Sequence, residues 1–235
     1  MLQCTTRSRI LCRGNAMHDS RLNTMKCYII AGAPDPDINF IKNTVKSEDF
    51  VLCADRGYSY AKQAGIEPDV IIGDFDSCKD EIPQSCEVVS LEREKLYTDT
   101  IHCVDNALEK GYHNIVILSA VGGRLDHTFG NLSALDYISS RGGKGVLLSE
   151  RERIELLTSG EHSFEKVDGL TFSLFAFGCK EAVISIEGVH YPLDKFTLKN
   201  CEPIGVSNIF EGSKTKITVH SGQVVIIINT DNNFL

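Results

Sequence analysis

The residues best suited to chemistry stand in one stretch, Asp69-Val-Ile-Ile-Gly-Asp-Phe-Asp-Ser77. Val70 to Ile72 is an apolar run of strand length, Gly73 ends it, and Asp74 and Asp76 follow two positions apart. Acids at the carboxyl end of a strand sit where open α/β folds hold their ligands. Paired hard oxygen donors there suit Mg²⁺ carrying substrate phosphates. Asp-x-Asp alone reads equally well as a solvated turn, so the weight falls on what else the chain brings to the same edge. Asp55 follows the run Phe50 to Ala54. Thr98-Asp99 opens a helical pattern, and a helix N-terminus offers free amides and a positive dipole end to a phosphate. Alone, Thr98 reads as an ordinary N-cap and Asp99 as a favourable first-turn acid. Gly122-Gly123-Arg124 follows the run Asn114 to Ser119. Glycines permit close backbone approach, and arginine grips phosphate bidentately. Asp126 can orient Arg124 or cap the next helix, and His127 can contact a phosphate or serve structurally. Four carboxylates on one edge (Asp55, Asp74, Asp76 and Asp99) repel one another without a cation, and one or two Mg²⁺ ions are the economical account. Neither the Gly-x-Gly-x-x-Gly fingerprint nor a Walker P-loop is present.

The elements that must position these residues alternate up to about residue 150. Strands are expected at Cys27–Ala31, Phe50–Ala54, Val70–Ile72, Glu87–Ser90, Asn114–Ser119 and Val146–Leu148. Asp37 caps a helix running to about Lys46, and further helices are expected over 58–64, closed by Gly65, over 98–110, with Ile101, Val104 and Leu108 at helical spacing, and over 127–139. This alternation predicts a mostly parallel sheet with helices on both faces. Arg141 to Gly145 reads as a turn. Beyond Ser149 to Arg153 the pattern changes to short alternating runs, at 154–157, 161–164, 170–175, 182–186, 216–219 and 223–228, which predicts an all-β antiparallel sandwich or jelly-roll-like C-terminal domain. The expected division is residues 1–24 as a disordered extension, 25–149 as an α/β domain and 150–235 as a β-sandwich domain.

Composition narrows the function. Hydrophobic residues make up 42% of the 235, as in a globular protein with a sizeable core. A net charge of −8 argues against a nucleic-acid-binding body. Nine cysteines, an odd number without Cys-x-x-Cys spacing, favour reduced thiols in a cytoplasmic protein over disulfides or zinc. No apolar run approaches the roughly 20 residues that span a bilayer. Arg7, Arg9, Arg13 and Arg21 in the first 24 residues read as a solvated tail.

Together the motifs resemble the thiamine pyrophosphokinase family. The matching pieces are Ala54-Asp-Arg-Gly57, Pro68-Asp69, Ile72-Gly-Asp-Phe-Asp-Ser77, Thr98-Asp99, Gly122-Gly-Arg-Leu-Asp-His127 with Asn131, and Val206-Ser207-Asn208. The resemblance runs from about residue 26 to the end. It implies a homodimer with an ATP-binding α/β domain and a thiamine-binding β-rich domain. It further implies pyrophosphoryl transfer from ATP to the hydroxyl of thiamine, with release of AMP. By the same resemblance Asp74, Asp76 and Asp99 hold Mg²⁺ and, with Arg124, form the catalytic set. Asp55, Ser77, Thr98, Gly123, Asp126, His127 and Asn131 then contact nucleotide and phosphate, and Ser207 and Asn208 contact thiamine at a site built across the dimer interface. Similar sequences often read Asp-Gly-Gly where this chain has Asp55-Arg56-Gly57, and carry an acid where it has Leu96. No tryptophan is present to stack on a thiamine ring, which leaves Phe210 or Tyr191 for that role. Three alternatives stay open at this level: a diphosphokinase acting on another alcohol such as a pterin, a phosphatase with Asp74 as nucleophile, and a non-catalytic nucleotide-binding homologue.

Overall fold

Short apolar runs, punctuated by glycine, proline and aspartate, build the parallel half of the molecule. The computed structural model describes residues 26–74, 86–92, 94, 96–165 and 169–230. The expected extension over residues 1–24, and Asp76 and Ser77, lie outside the described residues. Strands β1 (Lys26–Ile30), β2 (Phe50–Ala54), β3 (Val70–Gly73), β4 (Glu87–Ser90), β5 (Asn114–Leu118) and β6 (Lys144–Leu148) pair in parallel in the order β4-β3-β2-β1-β5-β6. Alternate residues of β1 feed two cores, Cys27 and Ile29 on one face, Tyr28 and Ile30 on the other. That explains the unbroken apolar runs, since a strand buried on both faces has no polar side.

Helices α1 (Ile38–Thr44) and α2 (Gly57–Ala64) cover one face through Ile41, Tyr58 and Ala61. Helices α3 (Asp99–Glu109) and α4 (Leu125–Ser140) cover the other through Ile101, Val104, Leu135 and Ile138. Asp37 caps α1 by accepting the Phe40 N–H at 2.9 Å, and Gly65 closes α2 at a φ of 73°, which glycine adopts without strain. α4 begins at Leu125, two residues before the sequence pattern places it. β6 likewise begins at Lys144, inside the expected turn. Gly145 is what allows this, because a Cβ there would stand 2.9 Å from the side chains of Ile138 and Leu135; its absence lets α4 lie on the strand.

The change of pattern at Ser149–Arg153 falls in a hairpin where the sheet continues without a break. The Ser149 N–H donates to Glu152 O, and the Ser149 hydroxyl accepts the N–H groups of Arg151 and Glu152. β7 (Glu152–Leu157) pairs antiparallel with β6, and β14 (Val224–Asn229), β9 (Thr171–Ala176) and β12 (Asn208–Ile209) extend the sheet to ten strands. A second sheet of four antiparallel strands, in the order β11-β10-β13-β8, packs on this extension. It is made of β8 (Gly160–Glu165), β10 (Glu181–Glu187), β11 (Leu193–Lys199) and β13 (Lys214–Ser221). β14 is the shared spine: Val225 joins the core of the parallel half, while Val224, Ile226 and Ile228 join the core between the two sheets. β11 and β12 have no counterpart in the sequence reading. In β11 only Leu198 is fully buried, and Asp194, Lys195 and Lys199 interrupt any apolar alternation; β12 is two residues long. No helix among the described residues is long and apolar enough to cross a membrane.

Candidate active site

Strand order reverses between β1 and β5, because the chain runs from β1 to β4 in one direction and returns to the far side of β1. Loops leaving those two strands diverge to opposite faces and open a crevice at the carboxyl edge. A cleft of about 770 Å³ lies there. Gly32, Ala33 and Pro34 line it from beyond β1, Asp55 and Arg56 from beyond β2, and Asp74 from beyond β3. Thr98 and Asp99 come from the start of α3, and Gly123, Arg124, Asp126, His127 and Asn131 from the loop after β5 and from α4.

The backbone is strained along this edge. Asp35, Asp55 and Ser119, each following a strand that borders the crevice, adopt positive φ values of 54°, 45° and 52°. Such conformations cost about 1–3 kcal/mol each in a non-glycine residue and persist where the surroundings impose them. Close glycine contacts pack the same edge. A Cβ on Gly57 would fall 1.9 Å from the Ile30 carbonyl oxygen, and one on Gly73 would fall 3.0 Å from the Asp55 Cα. Across the crevice a Cβ on Gly123 would meet the Pro34 ring at 2.2 Å. The loops after β1 and β5 therefore touch, and divide this cleft from a neighbouring one of about 680 Å³ on the β6–β7 side.

Several side chains at the cleft hold its walls. The Thr98 hydroxyl accepts the Ile101 N–H at 3.4 Å, the N-cap of α3. The buried Asn131 amide donates to Ala120 O at 2.7 Å and pins α4 to the loop that follows β5. At the other end of β3, away from the cleft, Asp69 accepts the Val51 N–H at 2.8 Å while its own N–H donates to Val51 O, which fixes the entry into the strand. Arg124 forms a two-pronged pair with Asp126, Nε to Oδ1 at 3.1 Å and the terminal nitrogen to Oδ2 at 2.6 Å. Hydrogen bonding from Arg124 draws the Asp126 carboxyl down from 3.8 to about 2, so it is ionised at neutral pH.

Asp55, Asp74, Thr98, Asp99, Gly123, Arg124, Asp126, His127 and Asn131 are thus brought to one cleft. Ser207 and Asn208 are not. They lie in the second half of the chain, Ser207 with a φ of 60° and its N–H on Ser173 Oγ. The Asn208 amide is engaged with both the N–H and the C=O of Tyr191, and Asn208 lines a separate apolar cavity of about 320 Å³ between the two sheets. Leu96 is 97% exposed, so it packs in no core. Sequence reading assigned no site role to Gly32, or to Arg56, which it noted only as a departure from Asp-Gly-Gly; each follows a strand end, the same signal that singled out Asp55.

The donor set fits Mg²⁺. Asp55, Asp74 and Asp99 offer only hard carboxylate oxygens. Among the described residues no three His, Cys, Asp or Glu side chains close on one cation position. Hard carboxylate oxygens of this kind suit Mg²⁺, which takes one or two protein carboxylates when it arrives with phosphates and water.

Residues 41–144 match the catalytic domain of thiamin pyrophosphokinase, and residues 161–226 match its vitamin B1 binding domain. The chain belongs to the thiamin pyrophosphokinase family. Thiamine pyrophosphokinase of Bacillus subtilis (strain 168) is 27% identical over 209 residues, covering 86% of this chain and 98% of that protein. Thiamine pyrophosphokinase 1 of Oryza sativa subsp. japonica is 31% identical over 174 residues, covering 67% of this chain and 65% of the rice protein. The crystal structure of the Bacillus subtilis enzyme superposes with a TM-score of 0.80 at 25% identity, over 88% of this chain and 99% of that one. Thiamin pyrophosphokinase from Candida albicans, at 17% identity, shares the fold with a TM-score of 0.69 over 88% of this chain and 89% of its own.

Proposed function

We propose that this chain catalyses the reaction of its family, transfer of a pyrophosphoryl group from ATP to the hydroxyl of thiamine, in the cleft at the β1/β5 switch point. The observation that carries the reading is the meeting of Asp55, Asp74 and Asp99 with the Gly123-Arg124 loop on one strained sheet edge, in a chain that matches both domains of that family. The thiamine oxygen attacks the β-phosphorus of ATP, the bond from that phosphorus to the α–β bridging oxygen breaks, and AMP leaves with that oxygen. The hydroxyl proton passes to a carboxylate of the acidic wall.

Such transfer depends chiefly on positioning and on neutralising charge. Asp74 and Asp99, together with Asp76, are the residues that would hold Mg²⁺, with Asp55 beside them. When bound there, Mg²⁺ supplies charge neutralisation at the phosphate oxygens. Arg124, oriented by Asp126, contacts the phosphates from the opposite side of β1, and His127 and Ser77 add hydrogen bonds. In this reading residues 25–149 take ATP and residues 150–235 take thiamine. Ser207 and Asn208 reach thiamine in the cleft of a second copy, which makes the working unit a homodimer. Cys27, Cys53 and Cys103 are buried and outside any disulfide, which suits the cytoplasm.

The test is direct. Purified protein mixed with ATP, Mg²⁺ and thiamine should release AMP and thiamine diphosphate in equal amounts, and excess chelator should stop both. Asp74→Asn should lower turnover about 100-fold or more with an unchanged melting temperature. Near-normal turnover by Asp74→Asn would remove it from the site.

A further inference from the structure

Two guanidinium groups line the cleft, and they are not equivalent. Arg124 is engaged by Asp126 through two hydrogen bonds. Arg56 is exposed, lines the same cleft, and forms no ion pair with any described residue. Its backbone is held from both sides. Asp55 precedes it with a φ of 45°, and Gly57 follows it, pressed on the Ile30 carbonyl oxygen. A Cβ added to Gly32 would stand 3.4 Å from the Arg56 Cβ, so the base of this side chain lies over the loop that follows β1.

Strand order places Arg56 and Arg124 on opposite flanks of that loop, since β2 and β5 are the two neighbours of β1. The strands they follow, β2 and β5, stand two inter-strand spacings apart, roughly 10 Å. A chain of phosphates laid along the strand ends between them meets one guanidinium at each side. Asp55, Asp74 and Asp99 repel a polyanion, and a guanidinium on the β2 side supplies the opposite charge beside them. Arginine suits it, with a charge fixed at any working pH and a planar fork that matches phosphate oxygens.

We infer that Arg56 is a second phosphate-contacting residue, which grips the polyphosphate of ATP from the β2 side of the cleft while Arg124 serves the β5 side. The inference rests on the reading of this cleft as the ATP site. It assigns Arg56 mainly to nucleotide binding, so its loss should raise the KM for ATP more than it lowers kcat.

The experiment is equilibrium binding of three probes, ATP with Mg²⁺, inorganic triphosphate with Mg²⁺, and adenosine, to the wild-type protein, Arg56→Ala and Arg56→Lys. Arg56→Ala should weaken ATP and triphosphate about 10- to 100-fold, the range for losing charge-assisted hydrogen bonds. Adenosine binding and the melting temperature should stay at wild-type values. Arg56→Lys should recover part of the loss, as a point charge without the bidentate fork. Equal ATP affinity in wild type and Arg56→Ala overturns the assignment of Arg56 and leaves the site reading standing. Equal weakening of adenosine and triphosphate also overturns it, by showing a general disturbance of the cleft. Failure of the wild-type protein to bind ATP overturns the site reading, and the inference with it.

Discussion

Replacing Gly57 with alanine tests how the site edge is held. Gly57 is the first residue of α2, is buried, and follows Asp55 and Arg56 directly. An added methyl carbon would lie 1.9 Å from the Ile30 carbonyl oxygen and 2.7 Å from its carbon, where ordinary contact begins near 3.4 Å. An overlap of about 1.5 Å has to be relieved, and the atoms met are backbone atoms of a central strand whose Ile30 has no exposed surface. No flexible side chain can move aside. Overpacking a core costs about 1–3 kcal/mol, and rigid surroundings place this change near 3 kcal/mol. For a chain of this size each kcal/mol lowers the melting temperature by about 2–4 °C, which gives a loss of about 6–12 °C. Gly65→Ala is the control: no atom lies within 4 Å of its added carbon, and only a φ of 73° opposes it, at about 1–2 kcal/mol. Thermal unfolding followed by circular dichroism reads both. Because the start of α2 must lift away from β1, Gly57→Ala should also displace Asp55 and Arg56 and reduce turnover at temperatures where the protein is still folded. A Gly57→Ala protein that melts no lower than Gly65→Ala would refute the argument.

Other consequences are open to measurement. Ile226→Ala removes a side chain with no exposed surface from the strand that both halves share. It should cost about 2–5 kcal/mol in denaturant unfolding, in one transition monitored equally by probes in either half. The Asp126 carboxyl should titrate near 2 by carboxyl-carbon NMR and move back up toward 3.8 in Arg124→Ala. Its folded value is depressed, so whatever the pair contributes to stability is present above 3.8 and fades as pH falls through about 2; with side chains 72% and 65% exposed, Arg124→Ala should leave the melting temperature nearly unchanged. Burial pushes the Cys103 thiol up, and burial with the charge of Asp69 pushes up that of Cys27. A thiol reagent at pH 8 should leave both unmodified until the chain is unfolded, while Cys201, which is exposed, reacts at once and Cys201→Ser removes one rapid equivalent.

The parallel half was legible because its strands are buried on both faces, so Val70-Ile-Ile72 and Ile115-Val-Ile-Leu118 stand out as apolar runs that glycine, proline or aspartate bound. The second half was legible only where one face of a strand is buried. Alternation in Thr171–Ala176 is clean, with Phe172, Leu174 and Ala176 inward. Leu193–Lys199 carries no such pattern, because it edges the smaller sheet and buries only Leu198 fully. Nor could the sequence tell that one sheet runs through both halves. β14 reads as a plain apolar strand, and that its alternate residues serve two different cores depends on pairing with β7 and β9 across long stretches of chain.

At the site, residue type and position after a strand were enough to gather Asp55, Asp74, Asp99 and the Gly123-Arg124 loop, since parallel strands deliver their carboxyl ends to one edge. What a one-dimensional reading cannot give is conformation and partner. Asn131 reads as a binding residue in the motif, yet its amide is occupied by Ala120 O. Arg124 reads as the phosphate arginine with Asp126 either orienting it or capping the helix, and only the fold shows the two-pronged contact that selects the first. Arg56 shows in sequence only as a departure from the Asp-Gly-Gly of similar chains, and its exposed place in a cleft rich in acids appears only in the fold. The same holds for strain. Asp35, Asp55 and Ser119 are unremarkable as letters, and only their positive φ values on one edge show where the fold has accepted a cost in backbone energy. Glycines stand at the same places: Gly57 lets α2 close on the Ile30 carbonyl, Gly73 sits tightly under Asp55, and Gly123 lies against the Pro34 ring. The acids therefore mark where charge is handled, and the glycines beside them set how tightly the walls that handle it are drawn together.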